Sequence, residues 1–272
     1  MRQPGMHYHP LQQRIAGNQI IMSKATGSMW LLAAVSLQLW AAGAMAAHWG
    51  YGMDNGPDKW ADMDPGFAAC RTEEFQSPIN ILAGTAQPSH QRLGFNYSGR
   101  TAEIVNNGHT IQVSVAEGNS VMATGSKEMH LRQFHFHTPS ENQLDGHAFP
   151  MEVHFVHDDG EGHAMVVGVF FREGTANPAL ERIAGSLPVT VNHPLPLTDV
   201  SPSALLPVHR EYYAFTGSLT TPPCTGSVSW AVLRDPLTAS RAQLDTMRAA
   251  LHHNARPVQP LNGRATSYHG GD

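Results

Sequence analysis

The chain has 272 residues, 41% hydrophobic and 14% charged, enough for one large domain with a buried core. Arg2, Arg14 and Lys24 are its only charges before position 47, and beyond that point 14 basic residues face 22 acidic ones, a net charge of −8. An acidic body argues against nucleic acid and anionic membrane surfaces as partners.

The first segment reads as an export signal. Met22-Ser23-Lys24 supplies a start and a positive charge, and Met29 to Trp40 is a mostly apolar run too short to span a bilayer. Ala44-Met45-Ala46 is a small-x-small cleavage site. Residues 1–21 are a polar, patternless N-terminal extension. The expectation is a start at Met22, cleavage after Ala46, and a body of residues 47–272 that is periplasmic or secreted and free of the membrane. A retained anchor is the alternative. Cys70 and Cys224 are the only cysteines, and in an exported chain a lone pair usually forms a disulfide. Two buried thiols are the other possibility.

From Ala47 onward no linker or internal repeat interrupts the chain, so it reads as one domain. Short strand-like runs are separated by Gly, Pro and Asn clusters: Thr110–Val115, His130–His137, Met151–His157, Ala164–Phe171, Tyr212–Thr216 and Ser227–Leu233. Asn177-Pro178 looks like an N-cap followed by proline at the first helical position, with Gly185 as the stop. Thr238 or Ser240 caps a second helix through Leu251, with Leu244, Met247 and Leu251 on one stripe. The predicted fold is α+β and predominantly β, with a large twisted, mostly antiparallel sheet and short peripheral helices. Arg256-Pro257-Val258-Gln259-Pro260 reads as an extended tail laid on the body, and residues 263–272 as loose.

The chemistry concentrates in two of these strands. In Gln133-Phe134-His135-Phe136-His137, side chains two apart point the same way, so His135 and His137 share a face. In Met151-Glu152-Val153-His154-Phe155-Val156, the residues Glu152, His154 and Val156 share a face by the same alternation. Three neutral imidazoles leave a fourth zinc position open, which is the arrangement of a catalytic zinc site.

Further motifs follow the same order as those of a known family. They are His48-Trp49-Gly50-Tyr51-Gly52, Gln76-Ser77-Pro78-Ile79-Asn80-Ile81, Asn106-Asn107-Gly108-His109, Ser140-Glu141-Asn142, Ser218-Leu219-Thr220-Thr221-Pro222-Pro223 and the Arg256–Pro260 stretch. With the two histidine strands, they resemble the α-class carbonic anhydrases, especially bacterial exported ones, over about residues 48 to 264. The resemblance implies one zinc ion per chain on His135, His137 and His154, and attack of zinc-bound hydroxide on CO2 to give bicarbonate. It implies that Thr220 orients the hydroxide and passes its own proton toward Glu141, and that Gln133 and Glu152 hold zinc ligands in place. His109 would shuttle the product proton to buffer, with Tyr51 and Asn107 ordering the water between. Val156, Val166, Leu219, Thr221, Val228 and Trp230 would wall the CO2 pocket. Anion and sulfonamide inhibitors are expected, and a homodimer is open. The competing readings are a catalytically silent binding module, which would usually lack a zinc histidine, and a zinc hydrolase, for which no His-Glu-x-x-His stretch is present.

Overall fold

The computed structural model describes residues 48–123 and 127–270, the side chains of residues 122 and 123 excepted. The predicted leader, with Met22 and the cleavage point after Ala46, lies outside the described residues. Two single-turn helices, α1 (Trp60–Met63) and α2 (Ala69–Thr72), precede the short strands β1 (Asn80–Ile81) and β2 (Gln87–Ser89). Next come β3 (Leu93–Tyr97), β4 (Thr101–Asn106), β5 (Ile111–Val115), β6 (Asn119–Ala123) and β7 (Met129–His137). After the small strands β8 (Gln143–Leu144) and β9 (His147–Ala148) come β10 (Met151–Asp158), β11 (Ala164–Glu173), α3 (Pro178–Ala184) and β12 (Leu195–Pro196). The chain finishes with β13 (Tyr212–Gly217), β14 (Val228–Ala239), α4 (Arg241–Leu251) and β15 (Ser267–His269).

Twelve strands form one sheet, in the order β12-β4-β5-β7-β10-β11-β14-β13-β15-β2, with β3 joined through β6 to β7. Among the described residues, the only parallel pairs within this sheet are β11–β14 and β15–β2, so it is mostly antiparallel. The central strands are covered on both faces. Phe134, Phe136, Val153 and Phe155 are fully buried on the face that packs against α3 and α4. Each such side chain removed from water contributes roughly 1.5–3 kcal/mol. The opposite face of β7 and β10 carries the histidines.

Both predicted helices form where their caps place them. Asn177 Oδ1 accepts from Leu180 N at 3.0 Å, and Pro178 opens α3. Ser240 and Gln243 make a reciprocal capping box on α4, whose Leu244, Met247 and Leu251 are buried. Gln243 also ties the two helices together, donating to Asn177 O and Glu181 Oε2.

The C-terminal tail departs from expectation. Residues 267–269 are not loose; they form β15 between β13 and β2. His269 stacks on Tyr212 at 4.2 Å, and the Arg264 guanidinium donates to the carbonyls of Thr216, Gln76 and Pro260. A three-residue strand offers too little alternation to be read from sequence, and its order comes from distant backbone partners. The strands β3, β4 and β6 were likewise not among the runs read from the sequence.

His157 is structural and fully buried. Ordinary alternation along β10 puts it on the core face with Val153 and Phe155, while the bulge lies across from it in β7, where Arg132 is skipped in the register. Its Nδ1 donates to Met165 O at 3.2 Å, so Nε2 is the acceptor for the Tyr97 hydroxyl at 2.7 Å. Burial lowers its pKa to about 4. The folded state therefore favours the neutral ring, and this contribution is complete above the unfolded pKa of about 6.5. It is lost as pH falls from there toward 4, by on the order of 3 kcal/mol. Urea titrations across this window should show a shallower loss of stability on acidification in His157→Gln than in the wild type. Tyr97→Phe leaves Nε2 without a donor and should lower stability by about 1–3 kcal/mol at pH 7.

Candidate metal centre

The antiparallel register of β7 and β10 assembles the site. His135 lies opposite His154, His137 opposite Glu152, and Gln133 opposite Val156, all on one face. One nitrogen from each of His135, His137 and His154 comes within 4.8 Å of the others. Each ring has its other nitrogen beside an acceptor. Nδ1 of His135 donates to Gln133 Oε1 at 2.9 Å, and Nδ1 of His137 to the backbone oxygen of Asn254 at 2.8 Å. Nε2 of His154 lies 3.0 Å from Glu152 Oε1, a close contact not aligned as a full hydrogen bond.

These acceptors place the free lone pairs toward a common point. Nε2 of His137 is buried and has no hydrogen-bond partner. An orphaned acceptor in so enclosed a place is expensive unless something positive meets it. Burial lowers the pKa of all three rings, so they are neutral, the form that binds metal. The donor set of three imidazoles fits zinc. Asp159, Glu161 and His163 also come together, but they lie at the surface and Lys127 pairs with Asp159 and Glu161.

Two buried carboxylates stand behind the triad. Glu152 accepts from Glu141 N, Asn142 N and Asn142 Nδ2, each at 2.9 Å. Burial pushes its pKa up to about 7, against those donors. Glu141 Oε1 accepts from Arg256 N at 2.8 Å, while Oε2 lies 3.5 Å from His137 Nε2 and has no hydrogen-bond partner. Burial pushes Glu141 up to about 8, and the Arg256 backbone and the Thr220 side chain work in the opposite direction. A divalent cation in the triad would act against burial, lowering both pKa values and favouring the ionised carboxylates.

The remaining predicted residues surround this point. A cavity of about 130 Å³ is lined by Tyr51, Asn107, His109, His135, His137 and Thr221, among others. Asn107 Oδ1 accepts from His109 N and Thr110 N, and Gly108 takes a positive φ of 85° in the turn that presents His109. Tyr51 has its pKa raised by burial and then by Glu141, so it stays a neutral hydroxyl. Val166, Val228 and Trp230 are buried in one apolar cluster with Val156 and Leu219 packed against it. The Trp230 and His154 ring centroids are 5.0 Å apart.

Several residues that position the site gave no sequence signal of that role. Asn254 holds His137 through its backbone oxygen, which no residue type advertises, and its side chain bonds Thr138 N, His109 O and Phe136 O. Arg256 was legible only as part of a tail motif; its guanidinium is buried and donates to Gln76 Oε1, Ser77 O and Cys70 O. Gly168 lies opposite His154, and a Cβ there would sit 2.8 Å from Glu152 Oε1. Cys70 and Cys224 form a disulfide. It anchors the Ser218–Thr225 loop, in which Cys224 N donates to Thr221 O and Leu219 N to Thr225 O.

A family model described as eukaryotic-type carbonic anhydrase matches residues 55–269. The chain belongs to the carbonic anhydrase family. It is 41% identical to a carbonic anhydrase of Pectobacterium carotovorum over 240 residues, covering 88% of this chain and 98% of that one. It is 42% identical to a carbonic anhydrase of Neisseria gonorrhoeae, covering 80% and 86%. The structure of α-carbonic anhydrase from Thermovibrio ammonificans with the inhibitor sulfanilamide superposes with a TM-score of 0.79 at 42% identity, covering 81% of this chain and 99% of that one. This carbonic anhydrase is thus a lyase, with the large mostly antiparallel sheet of its structural relatives.

Two substitutions test the supports. Gly168→Ala should displace Glu152 and weaken zinc binding about 10- to 100-fold in chelator competition. Reduction, or Cys70→Ser with Cys224→Ser, should lower the melting temperature, since closing so long a loop contributes about 5 kcal/mol in the chain-entropy account. An unchanged melting temperature would mean that the bridge carries no stability.

Proposed function

We propose that this protein is a zinc-dependent carbonic anhydrase that interconverts CO2 and water with bicarbonate and a proton. The observation that carries the reading is the convergence of three neutral histidine nitrogens beside an apolar wall, one of them buried without a partner. His135, His137 and His154 would hold the ion, with Gln133, Asn254 O and Glu152 fixing the ring orientations. Zinc, when bound, supplies the Lewis acidity that makes water nucleophilic near neutral pH, an effect for which carbonic anhydrase is the standard example.

The protein's own groups do the rest. CO2 is small and apolar, and docks on Val156, Val166, Leu219, Val228 and Trp230, with Thr221 at the cavity edge. Thr220 orients the attacking oxygen, because a Glu141 carboxylate can only accept and so fixes the direction of the threonine hydroxyl. Each hydration releases a proton, which water ordered by Tyr51 and Asn107 carries to His109. His109 is half-buried, and its pKa is lowered by burial and then by the charge of His48. It is therefore a ready donor to the outside. The sulfanilamide complex of the Thermovibrio ammonificans relative supports sulfonamide binding by this chain. An intact disulfide supports an exported protein in an oxidising compartment, periplasmic or secreted.

Stopped-flow CO2 hydration on the purified protein, before and after zinc removal and with zinc restored, tests the reaction. Activity should vanish and return with the metal; a zinc-loaded protein without hydration would favour the silent binding module. His135→Ala, His137→Ala and His154→Ala should each lose metal and activity together. His109→Ala should slow turnover in weak buffer and recover with imidazole, and a rate indifferent to buffer would remove His109 from the proton path.

A further inference from the structure

The turn that carries His109 is tied to the ligand strand β7 by a side chain from far along the chain. Within the turn, Asn107 N donates to Thr110 O, and Asn107 Oδ1 accepts from His109 N and Thr110 N. Gly108, at a φ of 85°, leaves this backbone free to take other conformations, so the turn needs support from outside. Asn254 supplies it, and is only 2% exposed. Its Nδ2 donates to His109 O at 3.1 Å and to Phe136 O at 2.9 Å, while its Oδ1 accepts from Thr138 N at 2.9 Å. These partners fix the orientation of the amide, because the reverse would set an oxygen against two carbonyls. Both amide hydrogens are therefore used, one on His109 and one on the residue between His135 and His137. Thr110 Oγ1 donates to the same Phe136 carbonyl at 2.6 Å, so turn and strand meet at that atom.

We propose that the Asn254 side chain is a positioning residue for proton transfer, holding His109 at a set distance from β7 so that the water path from the triad to its ring keeps its length. The inference rests on the reading of His109 as the shuttle. Proton hops along bridging waters need contacts near ordinary hydrogen-bond length, so a shift of about 1 Å in His109 interrupts them. Trp49 stacks flat on the His109 ring at 3.6 Å and 7°. A flat stack opposes tilting but permits sliding in its plane, which leaves the position of the ring to its backbone. That backbone is held at its N–H by Asn107 and at its carbonyl by Asn254. Asn254 thus serves two groups with separate atoms. Its backbone oxygen accepts from His137 Nδ1 at 2.8 Å, and its side chain holds the turn. Substitution separates the two roles, because the backbone oxygen survives any change of side chain.

Two variants test this. Asn254→Asp keeps the size and the acceptor for Thr138 N but turns an oxygen toward the carbonyls of His109 and Phe136. Asn254→Ala removes the amide without adding charge, and keeps the test open if the aspartate disturbs folding. In weak buffer each should lose about 10-fold in kcat, with a much smaller loss in kcat/KM for CO2. Imidazole should restore kcat, as for His109→Ala, and in the His109→Ala background neither change should slow turnover further. Zinc affinity in chelator competition should stay close to that of the wild type. On the metal-free protein, amide hydrogen exchange at His109 and Thr110 should quicken several-fold, a readout independent of turnover. Equal losses in kcat and kcat/KM without rescue by imidazole would make Asn254 a support of the metal site alone and overturn the proposal. Unchanged exchange, or an unchanged kcat in weak buffer beside a slow His109→Ala, would also overturn it and leave the shuttle reading standing. If His109→Ala is itself not slow, the reading of His109 fails instead.

Discussion

The pairing of β7 with β10 is the constraint on which the site depends. Side chains alternate strictly along a strand, so one register places His135, His137, His154 and Glu152 on the same face and Phe134, Phe136, Val153 and Phe155 on the other. A slip of one residue would move every histidine into the apolar core and every phenylalanine into the cavity. The register therefore needs no dedicated device. The burial of four large apolar side chains against α3 and α4 enforces it, and the convergence of the three imidazoles is a by-product of the hydrophobic core.

Behind the triad lies a polar network that would be unfavourable without its partners. Glu141 and Glu152 are buried within one hydrogen-bonded network, and burial raises both pKa values. Backbone amides at 141, 142 and 256 and the Asn142 amide group provide the compensating donors. Arg256 links this network to the rest of the fold. Its backbone supports Glu141, while its guanidinium reaches Gln76, Ser77 and Cys70 and lies 5.6 Å over the Trp60 ring. Through Gln76, which donates to Cys224 O, the same network reaches the disulfide-anchored loop that carries Thr220. The surroundings of the triad are thus set by residues from both ends of the described chain.

Much of this was legible in the sequence. The histidine strands, the Asn177 and Ser240 caps and the buried stripe of α4 each follow from local periodicity or capping chemistry. The zinc-type donor set was legible because alternation alone puts His135 with His137 and Glu152 with His154. What escaped were contributions without a residue signature: the Asn254 backbone oxygen, the space left by Gly168, and the three-residue strand β15 in a tail that reads as loose.

Sequence alone determined which residues share a strand face, where α3 and α4 start, and which side chains could bind a metal. These are consequences of spacing within a few residues, which chain geometry fixes locally. The tertiary structure decided which faces meet: that His154 comes opposite His135, that Glu141 sits over Arg256 N, and that Trp49 lays its ring on His109. Those pairings join residues tens to more than a hundred positions apart. They are selected only when the whole apolar core closes, because no local interaction is strong enough to choose among the alternatives.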